Sequence, residues 1–208
     1  MKIGFLGDSI TQGVGATTPE FSYVSQVKKT LDCEVVNYGI RGTRLARQKE
    51  PTPSHAMDID FNLRVPLLDR SLDKIIVFGG TNDYGHGKAP FGKVGDNDEY
   101  TFHGAVNKLF STLIEIYGKE KIVVLFPLRR ARCETVVSGN TGLYLVEYVK
   151  VIKHYVDFYG LKHIDLYNEG LAEPPIGASE YFTDGLHPND KGHKFLAKKI
   201  CEFIKNDR

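Results

Sequence analysis

A three-layer α/β/α sandwich around a mostly parallel five-stranded sheet is the fold class predicted for this 208-residue chain. Two observations predict it. Short runs nearly continuous in Val, Ile, Leu and Phe recur along the sequence, as strands buried on both faces of a parallel sheet do. Longer segments of helical period separate them, and such alternation implies right-handed crossovers that place helices on both sides of the sheet. No repeat, low-complexity tract or long polar linker divides the chain, so a single domain over residues 1–208 is expected.

The first strand is expected at 2–6 (KIGFL), after which the chain turns on Gly-Asp-Ser. A helix near 20–31 leads to a second strand, CEVVNY, at 33–38. A helix near 62–71 precedes the third strand, KIIVFGG, at 74–80, and another near 103–117 precedes the fourth, KIVVLFPL, at 121–128. Over 142–159 the residues Leu145, Val149, Ile152, Val156 and Tyr159 form the stripe of an amphipathic helix. A weaker strand, LKHIDLY, is expected at 161–167, and a last helix near 190–205.

Composition narrows the function classes. An apolar fraction of 41% and a charged fraction of 25% are those of a globular chain. The net charge of +1, from 27 basic and 26 acidic residues, leaves no electrostatic footprint for nucleic acid. The opening MKIGFLGDSI is too short in apolar residues for a secretory signal, and no stretch approaches the roughly 18 apolar residues of a membrane span. Cys33, Cys133 and Cys201 are odd in number and in no metal spacing, which fits a reduced cytoplasm and argues for no metal. A homo-oligomer is compatible with the sequence, which specifies no interface.

In open parallel sheets ligands bind beyond the carboxyl ends of the strands. The unusual residues fall there: GDSIT after the first run, GIRGTR after the second, GGTNDYG after the third and LRRARCE after the fourth. A phosphate cradle is disfavoured, because GDSITQGVGA has neither Gly-x-Gly-x-x-Gly nor Gly-Lys-Ser/Thr. An aspartyl-phosphate enzyme would want a second acid two positions after Asp8, where Ile10 stands.

A nucleophilic Ser9 needs a base, an orienting group and oxyanion donors. In YFTDGLHPND, Asp184 precedes His187 by three residues, a spacing that can set the carboxylate against Nδ1 and point Nε2 outward. The same residues also suit a plain cap of the last helix. Backbone amides at Gly39 and Gly42 and the side-chain amide of Asn82 can serve as oxyanion donors, or simply as turn residues. Ser9 or Thr11 is expected to cap a helix nearby.

The four blocks GDSIT, NYGIRGT, GGTND and DGLHPN, in this order between residues 7 and 189, resemble the SGNH hydrolases, also called GDSL-type esterases and lipases. The resemblance implies the flavodoxin-like sandwich of that family, with Ser9 as nucleophile, His187 as general base and Asp184 orienting the imidazole. It also implies an oxyanion hole of the Ser9 amide, a glycine amide and the Asn82 side chain, and no cofactor. The family's donor glycine lies five residues after the asparagine, which selects Gly42 over Gly39. Ile10 replaces the leucine of the family name, while Asp8 and Asp83 are expected to be structural hydrogen-bond partners. The activity implied is hydrolysis of short acyl esters, acetyl foremost, on a carbohydrate or small metabolite. Thioesterase, lipase and phospholipid esterase are alternatives within the family. A non-catalytic α/β binding module is the alternative outside it, against which the full Ser9–Asp184–His187 set argues.

Arg129, Arg130 and Arg132 follow the fourth strand, and Arg41 and Arg44 flank Gly42. They suit either an anionic or polyhydroxylated substrate or internal ion pairs. The long loops 46–61 and 84–101 are polar, without the apolar surface of an interfacial lid, and are candidates for specificity. His55, His86 and His103 are expected around the site or at the surface rather than in catalysis. His154 and His193 are expected on helices, His163 near the last strand, and Cys133 as packing.

Overall fold

In the computed structural model, which describes residues 1–50, 52 and 55–207, five parallel strands form one sheet. They are β1 (Lys2–Gly7), β2 (Glu34–Gly39), β3 (Lys74–Phe78), β4 (Ile122–Leu125) and β5 (Lys162–Ile164), in the order β2-β1-β3-β4-β5. All four ladders are parallel, as in the pairing of Phe5 with Asn37 on one side and Ile76 on the other. The helices are α1 (Ser9–Gln12), α2 (Tyr23–Leu31), α3 (Phe61–Arg64), α4 (Thr81–His86), α5 (Phe102–Tyr117), α6 (Leu145–Tyr159), α7 (Leu166–Glu169) and α8 (Asp190–Asn206).

Successive strand residues point to opposite faces, which produces two cores. Ile75, Val77, Ile122 and Val124 pack with Leu109 and Leu113 of α5 and Ile152 and Val156 of α6. Ile76, Phe78, Val123 and Leu125 pack with Val24 and Val27 of α2 and Leu196 and Ile200 of α8. Each such side chain, fully buried, contributes about 1.5–3 kcal/mol. Three layers result. Among the described residues no helix is long and apolar enough to cross a membrane.

Proline, glycine and helix-capping side chains explain where the elements are shorter than expected. The helix expected near 20–31 begins at Tyr23, because Pro19 opens a 3-10 turn and the Ser22 hydroxyl then accepts from the Ser25 amide as the cap. The helix expected over 62–71 is only one turn of α-helix, followed by a 3-10 turn at Val65–Leu67. Pro66 there has no N–H to continue the ladder. β3 stops at Phe78 rather than residue 80, where Gly80 takes a left-handed conformation (φ 108°) and caps α4. β5 stops at Ile164 because the Asp165 carboxylate caps α7.

The strand order reverses direction at β1 and β3, so a crevice opens at their carboxyl ends. Two short helices that the sequence pattern does not announce, α1 and α4, start there. They carry Ser9 and Asn82.

Candidate active site

Ser9 owes its position to a sharp strand-to-helix turn. A side chain at Gly7 would run into Thr11, so only glycine lets β1 pass directly into α1. The cap of α1 is neither Ser9 nor Thr11 but Asp8, whose Oδ1 accepts from the Ile10 amide at 3.0 Å. The expectation of capping by Ser9 or Thr11 is corrected accordingly. Thr11 instead pairs with the Tyr23 hydroxyl at 2.9 Å, and Ser9, the first residue of the helix, turns its hydroxyl to the crevice.

His187 meets it there. Its Nε2 lies 3.0 Å from Ser9 Oγ, and its Nδ1 lies 2.7 Å from Asp184 Oδ2. The other oxygen of Asp184 accepts from the amides of Leu186 (2.9 Å) and His187 (2.8 Å), which closes a turn around Gly185. The turn is braced by the Thr183 amide, which donates to the His187 carbonyl at 2.9 Å. Burial alone would raise the Asp184 pKa; the bonds from the His187 amide and ring and the Leu186 amide outweigh it and hold the carboxyl below its usual value. An ionised Asp184 accepts a hydrogen bond from Nδ1–H, which fixes the ring proton there and leaves Nε2 bare to accept from the Ser9 hydroxyl.

Gly15 brings the loop after α1 against this turn. A side chain at 15 would meet the Pro188 carbonyl and the His187 Cβ. The same loop is tied to α8 by His193, whose Nε2 donates to the Val14 carbonyl (3.2 Å) while Nδ1 accepts from the Tyr23 amide (3.2 Å). Burial lowers the His193 pKa, consistent with a neutral ring serving as a structural strut.

The glycine and asparagine donors differ in availability. The Gly39 amide donates to Asn37 Oδ1 at 2.8 Å, and its α-carbon packs on the backbone of α1. Gly42 instead lines the crevice beside Ser9, Asn82 and His187. Asn82 is buried at the start of α4; its Nδ2 donates to the Thr43 carbonyl at 3.0 Å and approaches Asp8 Oδ2 at 3.4 Å, while Oδ1 lies 3.2 Å from His86 Nε2. Ser9, Gly42 and Asn82 thus line one crevice together with His187.

Two buried acids organise these loops, as expected of them. Asp83 accepts from the Leu45 and Ala46 amides, both at 2.9 Å, and burial pushes its pKa up to about 7. Burial likewise pushes Asp8 up to about 6, against the Ile10 amide and the charges of His187 and Arg64. Arg64, which the sequence does not single out, ties the ends of β1 and β2 to the loop after Gly42. It donates to the carbonyls of Gly7 (2.9 Å) and Tyr38 (2.6 Å) and to the Thr43 hydroxyl (3.0 Å), while burial lowers its pKa to about 10. The available signal was a lone cation inside the apolar run FNLRVPLL.

The crevice, about 330 Å³, has apolar walls at Val14, Met57 and Leu186 and polar ones at Arg41 and His86. Loop 46–61 delivers the Met57 side chain against Gly42, whose left-handed backbone (φ 74°) favours glycine. Residues 51, 53 and 54 of that loop, and the side chain of His55, lie outside the described residues. Of the arginines proposed for substrate, Arg41 lines the crevice. Arg129 turns to the Tyr167 carbonyl (3.0 Å) and Glu134 (2.7 Å), and Arg130 lies over the Tyr84 ring, 3.4 Å from the Thr81 carbonyl. Arg132 is exposed in a left-handed conformation (φ 64°). Arg44 is buried, donating to the Met57 carbonyl and to Asp58. His103 is buried in α5, and His154 and His163 fall on α6 and β5. Cys133 is buried with its thiol pushed up to about 11, which suits packing.

The model of the GDSL-like lipase/acylhydrolase family matches residues 5–195. No curated protein matches the chain by sequence. Among solved structures, it is similar to a protein from Lactobacillus plantarum, 27% identical over 99% of this chain and 96% of that one, with a TM-score of 0.82. A lipase/acylhydrolase from Enterococcus faecalis is 24% identical over 99% and 95%, with a TM-score of 0.68. A carbohydrate acetylesterase from Sinorhizobium meliloti is 17% identical over 99% and 98%, with a TM-score of 0.70. The last two likenesses are likenesses of fold.

Proposed function

The chain belongs to the GDSL-like lipase/acylhydrolase family, and we propose that it is a serine esterase that removes short acyl groups, acetyl foremost, from a carbohydrate or small metabolite. The observation that carries this reading is the unbroken line from Ser9 Oγ through His187 to Asp184, at 3.0 and 2.7 Å. Ser9 attacks the ester carbonyl as His187 Nε2 takes its proton. The amides of Ser9 and Gly42 and the Asn82 side chain hold the oxyanion. The resulting imidazolium, paired with Asp184, protonates the departing alcohol, and water repeats the cycle on the acyl-enzyme. General-base action contributes about 10²–10⁴-fold and one oxyanion donor about 10²–10³-fold.

The short acyl group is favoured by the crevice itself, about 330 Å³ and walled by Met57, Val14 and Leu186. The carbohydrate is suggested by the polar Arg41 in the crevice wall and by the fold shared with a carbohydrate acetylesterase. Hydrolysis rates on 4-nitrophenyl acetate, butyrate, octanoate and palmitate, an acetylated sugar and an acyl-CoA, each with Ser9→Ala alongside, test the reading. A Ser9-dependent preference for acetate and the sugar is expected. A preference for long chains or acyl-CoA would replace it with a lipase or thioesterase. No turnover, with a fluorophosphonate failing to label Ser9, would leave a binding module.

A further inference from the structure

His86 stands between a buried arginine and the side-chain oxygen of Asn82, the end of that amide that does not face the oxyanion. On one side, Arg44 Nη1 lies 3.3 Å from its Nδ1; on the other, Asn82 Oδ1 lies 3.2 Å from its Nε2. A guanidinium only donates, so Nδ1 must be the accepting nitrogen and the ring proton must sit on Nε2. Nε2–H then donates to Asn82 Oδ1. Arg44 is itself held, with 2% of its side chain exposed, by the Met57 carbonyl at 2.9 Å and Asp58 at 3.1 Å. The ring keeps one face exposed, and partial desolvation with the neighbouring charges of Arg44 and Arg130 lowers the His86 pKa, which favours the neutral ring of this pattern.

We propose that His86 is a positioning residue for the oxyanion hole, fixed in one tautomer by Arg44 and acting through Asn82 to aim its amide N–H at the substrate oxygen. With Oδ1 accepting from His86 and one Nδ2 hydrogen on the Thr43 carbonyl, the second hydrogen has only a 3.4 Å approach to Asp8 Oδ2. That hydrogen is the one available to an oxyanion. A flipped amide would set Oδ1 against the Thr43 carbonyl and the Asp8 carboxylate, and Nδ2 against the Nε2–H of His86. Two restraints thus hold one orientation, and His86 supplies one of them. The loop that places Met57 in the crevice wall also anchors Arg44, so wall and donor are built from the same segment.

The proposal rests on the esterase reading, and its test separates the two. In a Ser9-dependent 4-nitrophenyl acetate assay, His86→Ala and His86→Leu should lower kcat by about 3- to 10-fold, the worth of one neutral hydrogen bond, with KM unchanged. His86→Gln, whose amide can donate to Asn82 and accept from Arg44, should recover most of the loss. In an Asn82→Ala background, His86→Leu should lower kcat no further. Losses that multiply, or a raised KM with kcat intact, would overturn the proposal, the latter by making His86 a direct substrate contact. The Asn82 side-chain amide signals, assigned by their absence in Asn82→Ala, should shift in His86→Leu; unchanged signals would overturn it without any turnover. Absence of Ser9-dependent hydrolysis would instead sink the esterase reading, while those signals still decide the orientation.

Discussion

Nε2 of His187 lies 3.0 Å from the hydroxyl oxygen of Ser9, across 178 residues of chain. The bond joins the turn after the first strand to the turn before the last helix, and neither residue lies in the packed core. Ser9→Ala should therefore lower kcat/KM for 4-nitrophenyl acetate by about 10⁴-fold or more while leaving the melting temperature within a degree or so. Equal rates in the two proteins would remove Ser9 from the chemistry.

Asp184 separates orientation from folding more cleanly than a buried acid would, because its side chain is 53% exposed. In Asp184→Asn the remaining oxygen can still accept from the Leu186 and His187 amides and keep the turn. The new amide then faces Nδ1 as a donor and favours the wrong tautomer. A fall in kcat of about 10²–10⁴-fold is expected, with an unchanged unfolding midpoint in urea. A variant that lost stability and kept its kcat would make Asp184 a turn residue only.

The arginines divide by their contacts. Arg129 stacks on Tyr167 and bonds Glu134, so Arg129→Ala should cost roughly 0.5–1.5 kcal/mol of stability and leave ester selectivity alone. Arg41 lines the crevice, so Arg41→Ala should reduce any preference for an anionic over a neutral acetyl ester by about 3- to 10-fold. Paired rates on 4-acetoxybenzoate and methyl 4-acetoxybenzoate check this. An unchanged ratio would confine Arg41 to the surface.

Much of this arrangement is legible in the sequence because it follows from strand ends. Parallel strands read as apolar runs, and the residues that break the first and third runs, at Gly-Asp-Ser and Gly-Thr-Asn-Asp, meet in the crevice with Asp-Gly-Leu-His from the loop before α8. What is not legible depends on three-dimensional closure. The short helices α1 and α4 have too few residues to show a period. Nothing in FNLRVPLL says that Arg64 reaches the Gly7 and Tyr38 carbonyls. His86 sits four residues after Asn82, a helical spacing, but only once Gly80 has started a helix there does that spacing bring the two side chains together. Met57 and Arg44 come from segments whose mutual position the local pattern does not encode.

Asp83 yields a prediction about pH whose sign is set by burial. Its pKa is raised to about 7 in the folded protein, so between its ordinary value near 4 and 7 the folded state holds a proton that the unfolded chain has released. The stability this contributes is complete below pH 4 and is lost as pH rises towards 7, at up to about 1.4 kcal/mol per pH unit. Asp83→Asn cannot titrate. Its single carbonyl oxygen can satisfy only one of the Leu45 and Ala46 amides well, and that mismatch costs about 1–3 kcal/mol. Urea unfolding of both proteins at pH 4, 5, 6 and 7 should show the wild type's advantage largest at pH 4 and shrinking towards pH 7. His86, His103 and His193, with lowered pKa values, favour unfolding as pH falls below their ordinary value, but they are present in both proteins and cancel in the difference. An advantage that grows with pH would mean that the two backbone N–H groups outweigh burial and keep Asp83 ionised, making it an anionic anchor for the oxyanion loop.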